Sequence, residues 1–217
     1  EKKIKYIVID DLPKIVRKFK KNWHPAHARD QFQRNSLARG LSDFAPDDIV
    51  MISDLDEIPN PKKIVEFKKE NKYVCFVQEN YLFKLNLLNI SEPRWFGTRM
   101  CRKKDLKSPQ WLREIKCKKL PFYKFYKPKF DKFIEDGGWH FSSVKTPEAI
   151  YRKLNSYAEQ QWNNKKFKDL EVIKNKIKKK VDLFDRGYDF KVLKIDNTFP
   201  KYVKENKDKL REFIYLD

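Results

Sequence analysis

Apolar residues in this chain come in short runs, and their spacing separates strands from helices. Residues 49–52 (Ile49, Val50, Met51 and Ile52) are consecutively apolar, which predicts a strand covered on both faces, as in the parallel sheets of α/β proteins. Residues 73–77 repeat that pattern, 80–85 form a further β-rich run, and 95–100 are expected to enter another strand. Residues 4–9 read as an early strand stopped by Asp10, Asp11 and Pro13, and 190–195 alternate with lysines as an edge strand does. Helical spacing lies between these runs. Residues 26–41 carry Phe32, Leu37, Ala38 and Leu41 and close at Gly40. Asn60-Pro61 opens a helix ending near Asn71, and Thr146-Pro147 opens another, on which Ile150, Leu154 and Tyr157 recur. A lysine-rich helix follows Phe167, a terminal helix starts at Pro200, and 109–128 read as irregular, basic and aromatic. The pattern is α/β, with one domain over 1–217 whose C-terminal part, from about 165, is a helical appendage.

The run 49–52 ends, after Ser53, in Asp54, Asp56 and Glu57. Ligands of open α/β sheets bind beyond the carboxyl ends of strands, so these carboxylates stand where a site is expected. Gathered carboxylates repel one another unless a cation neutralises them, and a hard divalent ion shared with substrate phosphates does so. A simpler role is an Asx turn before Pro61. In the second informative stretch, 134–142, Gly137 and Gly138 allow a tight turn, and alternation sets His140 opposite Trp139 and Phe141. An imidazole beside Asp56 suits Mn²⁺ better than Mg²⁺. Arg34 shares a helical face with Leu37, Ala38 and Leu41, and its charge there needs an anion: Asp30 one turn back, or a substrate phosphate or sugar.

Charge widens the choice of function. The 50 Lys and Arg residues against 31 Asp and Glu give +19, spread over 62–72, 116–132 and 165–180. This fits a solvated surface or a polyanionic partner, and aromatics interleaved with lysines between 116 and 133 support a nucleic-acid-binding module. Three carboxylates at a strand end oppose a phosphate backbone there without metal, so nucleic acid is the weaker expectation. The 3 cysteines lack C-x-x-C spacing, which suggests neither a disulfide framework nor a zinc site and fits a reducing compartment. No apolar run reaches the ~20 residues of a membrane span. A cytoplasmic location is expected, or the Golgi lumen if a targeting segment has been removed.

Four motifs occur in order: Gln33-Arg34-Asn35; Asp47-Asp48-Ile49 running on to Asp54-Leu55-Asp56-Glu57-Ile58-Pro59; Gly138-Trp139-His140-Phe141-Ser142; and Lys153-Leu154 followed by Ser156-Tyr157. Together they resemble glycosyltransferase family 17, which includes the β-1,4-mannosyl-glycoprotein 4-β-N-acetylglucosaminyltransferase. The resemblance spans nearly the whole chain, to residues 199–203. It implies a GT-A-like fold, with a mixed, mostly parallel sheet flanked by helices. Family members carry a strand-and-helix unit ahead of the stretch matching 4–13, so the expected sheet lacks that first unit. The implied reaction is inverting transfer of a sugar, N-acetylglucosamine by resemblance, from a UDP-sugar to a glycan hydroxyl with Mn²⁺ or Mg²⁺. Asp56 and His140 are then the expected metal ligands, with Asp54 at the metal through water or at the donor ribose. Arg34 and Lys153 are expected to hold the donor. Inversion also needs a carboxylate base, for which Asp136, before the Gly137-Gly138 turn, and Glu79, at a strand end, are the candidates. A nucleic-acid-binding module and a catalytically silent relative that binds a partner are the alternatives.

Overall fold

In the computed structural model, which describes residues 3–13, 25–118, 121–124, 126–156 and 169–215, Ile49–Ile52 is strand β1. Its partner is β5 (Arg94–Arg102), and the pairing is antiparallel, with Val50 opposite Cys101 and Met51 opposite Met100. Val50 and Ile52 are buried and Ile49 is exposed, so β1 is covered on one face rather than two.

The chain divides into two units. The first comprises Glu1–Ile52, Lys68–Cys75 and Arg99–Phe133. It holds α1 (Pro25–Ser36), a 3₁₀ turn over Leu37–Leu41, β1, the first residues of β3 (Tyr73–Leu82), the last residues of β5, and α2 (Pro109–Glu114). Helix α2 forms where irregular chain is expected, because Ser108 accepts from the Trp111 amide at 3.2 Å, Pro109 takes the first turn, and Leu112 is buried. The Trp111 ring meets Tyr73 edge-on, with centroids 5.3 Å apart. Residues 4–9 do not join a sheet. Ile4, Tyr6 and Val8 face solvent, and only the opposite side of this extended segment touches the unit, with Ile7 over Gly40.

The second unit comprises Ser53–Phe67, Phe76–Thr98 and Ile134–Asp217. It holds β2 (Glu57–Pro59), most of β3, β4 (Leu87–Asn89), the start of β5, the end of β6 (Lys132–Ile134), β7 (Gly138–Ser142), α3 (Pro147–Ser156), α4 (Leu170–Lys178), β8 (Phe190–Val192) and α5 (Lys201–Glu205). The strand path is β1-β5-β3-β4-β8, with β6 and β7 also on β3 and β2 on β7. The sheet is mixed, as expected, but the expectation of mostly parallel pairing is corrected. Strands β2 and β7, β3 and β4, and β4 and β8 pair antiparallel, whereas β3 and β7 pair parallel. The links 83–86 and 90–93 are too short for parallel crossovers, which need a dozen or more residues.

Segment Pro61–Glu66 is a 3₁₀ turn rather than a helix reaching Asn71; Asn60 Oδ1 caps it by accepting from the Lys62 amide at 3.1 Å. Ile150 and Leu154 of α3 pack with Ile173 and Ile177 of α4 against Leu82 and Phe83. Tyr157, expected on the same stripe, lies outside the described residues. A second cluster joins Tyr81, Trp139 and Phe141 to Ile195, Phe199 and Val203. No helix among the described residues is long and apolar enough to cross a membrane.

Candidate functional site

The acidic stretch is a tight turn, closed by the Glu57 amide donating to the Asp54 carbonyl at 3.0 Å, with Leu55 fully exposed at its tip. Glu57 is turned inward and is only 4% exposed. Its carboxylate accepts from the Asp54 amide at 3.1 Å and from Trp95 Nε1 at 2.8 Å. Such a carboxylate pins the turn from below. Asp56 stays half-exposed, with Oδ2 3.7 Å from His140 Nε2.

His140 is buried on β7 between β2 and β3, opposite Glu57 on one side and Asn80 on the other. The Asn80 side-chain amide donates to the Glu92 carbonyl at 3.0 Å, which turns its oxygen toward His140 Nδ1, also at 3.0 Å. Nδ1 therefore donates to that oxygen, and Nε2 is the ring nitrogen that faces Asp56. Trp95 lies flat on the imidazole, with centroids 4.1 Å apart and planes at 10°. Two ligands of one ion, each at ~2.0–2.2 Å, lie no more than ~4.4 Å apart, so the 3.7 Å pair fits a shared cation. The Nδ1 hydrogen bond to an amide oxygen is the outer contact that orients metal-binding histidines. Among the described residues no three His, Cys, Asp or Glu side chains converge on one point, so other ligands of such an ion would come from substrate and water.

Lys153 of α3 donates to Ser143 Oγ at 3.2 Å. Burial pulls its pKa below the ordinary lysine value, and the Asp56 carboxylate partly offsets that shift. Lys153 and Asp56 thus sense each other's charge, and Lys153 lines a cavity of about 140 Å³ with Ser142, Ser143 and Arg186.

The two carboxylates expected as base lie elsewhere. Glu79 pairs in register with Trp139, and Asn80 with His140, so pleating puts Glu79 on the sheet face opposite the imidazole. Glu79 accepts from the Tyr81 hydroxyl at 2.7 Å. Asp136 has φ 50° in the turn before β7, with its side chain 89% exposed and 3.9 Å from Lys63 Nζ. Both line a cavity of about 650 Å³ with Trp139, Lys62, Lys201 and Lys204, and neither Asp56 nor His140 lines it. Arg34 belongs to the first unit, where its guanidinium donates to Gln110 Oε1 on α2. Asp54, Asp56, His140 and Lys153 all belong to the second.

Sequence reasoning did not single out Trp95, Asn80, Gln78 or Thr98. Gln78, Asn80 and Thr98 are buried, Ser53 Oγ lies 2.7 Å from Thr98 Oγ1, and the Gln78 amide donates to Thr98 at 3.4 Å. One signal was available: Gln78-Glu79-Asn80 interrupts an otherwise apolar strand, and buried polar groups need partners. Comparison with protein-family models, with curated proteins and with solved structures found no match.

Proposed function

We propose that the chain is a metal-dependent glycosyltransferase that moves a sugar from a UDP-sugar to a glycan hydroxyl. The supporting observation is Asp56 Oδ2 at 3.7 Å from His140 Nε2, with the other imidazole nitrogen fixed on Asn80. Asp56 and His140 would hold Mn²⁺ or Mg²⁺, the nitrogen favouring Mn²⁺. A bound ion supplies positive charge against the departing diphosphate. Lys153, half-buried on Ser143, adds a cation whose charge is poorly screened there. Glu57 and Trp95 hold the turn and the ring in place, and Asp54 stands two residues from Asp56 on that turn. The four-motif resemblance supports N-acetylglucosamine as the sugar. No base is assigned, because an attacking hydroxyl needs a carboxylate within ~2.6–3.2 Å, and Asp136 and Glu79 line a cavity that the metal pair does not.

Calorimetric titration of the full chain with UDP-N-acetylglucosamine, with and without Mn²⁺, tests this. Binding is expected only with metal, and Asp56→Asn and His140→Gln should weaken it by at least about tenfold, while Glu79→Gln leaves it intact. Binding that ignores Mn²⁺, or no binding by the folded chain with Mn²⁺ present, rejects the proposal.

A further inference from the structure

A second reactive cluster lies within the first unit. Cys75, near the start of β3, is fully buried, and its Sγ is 3.9 Å from Cys117 Sγ on the stretch after α2. Arg99 on β5 donates to Cys117 Sγ through Nη2 at 3.4 Å. Cys117 is partly exposed, and all three cysteines are thiols. One sulfur is thus reachable and lies against a permanent cation, with a second thiol directly behind it. A guanidinium cannot lose its proton, so its charge favours the thiolate of the sulfur it touches.

We propose that Cys117 and Cys75 form a redox pair, in which hydrogen peroxide oxidises Cys117 and Cys75 then closes an intramolecular disulfide. The Cys117 thiolate attacks one peroxide oxygen, the O–O bond breaks, hydroxide leaves, and Cys117 becomes a sulfenic acid. The Cys75 sulfur then attacks the Cys117 sulfur; the S–O bond breaks, and the hydroxyl leaves with the Cys75 proton as water. The two sulfurs lose two electrons in total, and the peroxide gains them. The sulfurs must close from 3.9 Å to ~2.05 Å, a movement that falls to the chain after α2, because Cys75 is held in a strand. The hydrogen bond from Cys75, helped by Arg99, Arg113 and Lys116 and opposed by burial, brings the Cys117 pKa down to about 7. The same hydrogen bond, with burial, pushes Cys75 up, which makes it the resolving thiol. Burial drives Cys101 up to about 12, so it should stay inert. The disulfide would tie positions 42 residues apart.

The test treats the full chain with stoichiometric hydrogen peroxide, blocks remaining thiols with iodoacetamide, and maps the peptides. A Cys75–Cys117 cross-link reversible by dithiothreitol is expected, with Cys101 alkylated. In the reduced protein, alkylation of Cys117 should rise through a midpoint near pH 7. Cys75→Ala and the more isosteric Cys75→Ser should both stop at a Cys117 sulfenic acid that dimedone captures. Oxidation at Cys101 first, a Cys117 link between two chains, or a Cys117 midpoint near the unperturbed 9.0 overturns the proposal.

Discussion

Gly138→Ala isolates the backbone geometry that presents His140. Gly138 has φ +128°, and a Cβ there would stand 2.1 Å from the Ile58 carbonyl oxygen, 2.7 Å from the Asn60 nitrogen and 3.0 Å from the Pro59 carbonyl carbon. All three are backbone atoms, fixed by the pairing of Pro59 with Gly138 and by the Asn60 amide donating to Gly137 O at 2.8 Å. No side-chain rotation relieves the clash, so β2 must move away from β7. A side chain in this backbone region costs about 1–3 kcal/mol. Overpacking against fixed atoms adds about 1–3 kcal/mol, so roughly 4 kcal/mol is expected in total. Gly137→Ala is the control: its Cβ would meet the Ile134 and Val77 carbonyls at 2.8 Å, without the positive φ, so only the overpacking part applies. Urea denaturation followed by tryptophan fluorescence gives both values from the midpoints and slopes. A Gly138→Ala loss below about 1 kcal/mol, or one no larger than that of Gly137→Ala, would refute the reasoning. Because Glu57 lies opposite His140 in the same ladder, Gly138→Ala should also weaken Mn²⁺-dependent donor binding.

Two further outcomes are expected. Glu57→Gln keeps the shape but loses the charge and points an amide donor at either the Asp54 amide or Trp95 Nε1; a loss of about 1–3 kcal/mol, with a change in Trp95 emission, should appear on denaturation, and unchanged stability would mean the carboxylate is not pinning the turn. Lys153 binds its proton less tightly folded than unfolded, so stability should rise with pH from its lowered folded pKa up to the ordinary 10.5, as the buried charge is discharged. Denaturation midpoints of Lys153→Met across that window should lack this rise, and a rise equal to that of the original chain would assign it to other groups.

Local pattern determined much of this protein. The apolar run 49–52, the strand around His140, the helix opened by Pro147 and the turn at Asp54 follow from side-chain period and from the φ limits of proline and glycine, which act over a few residues. Asp56 and His140 also stood out, since acidic residues after a buried strand and a histidine between aromatics are visible without a fold. Pairing direction was misread: the apolar run 49–52 pointed to a strand covered on both faces in a parallel sheet, whereas β1 pairs antiparallel and is covered on one face. The extended segment at 4–9 has strand composition, yet no strand among the described residues pairs with it. Nor could local pattern show that Asn80 sets the imidazole proton, that Trp95 covers the ring, or that Cys117 meets Cys75. Glu79 and Asn80 are adjacent in sequence but face opposite sides of the sheet, and only the register of β3 against β7 decides which of them shares a face with His140. Period two fixes alternation along a strand, whereas the choice of face and partner belongs to packing between residues 60 positions apart.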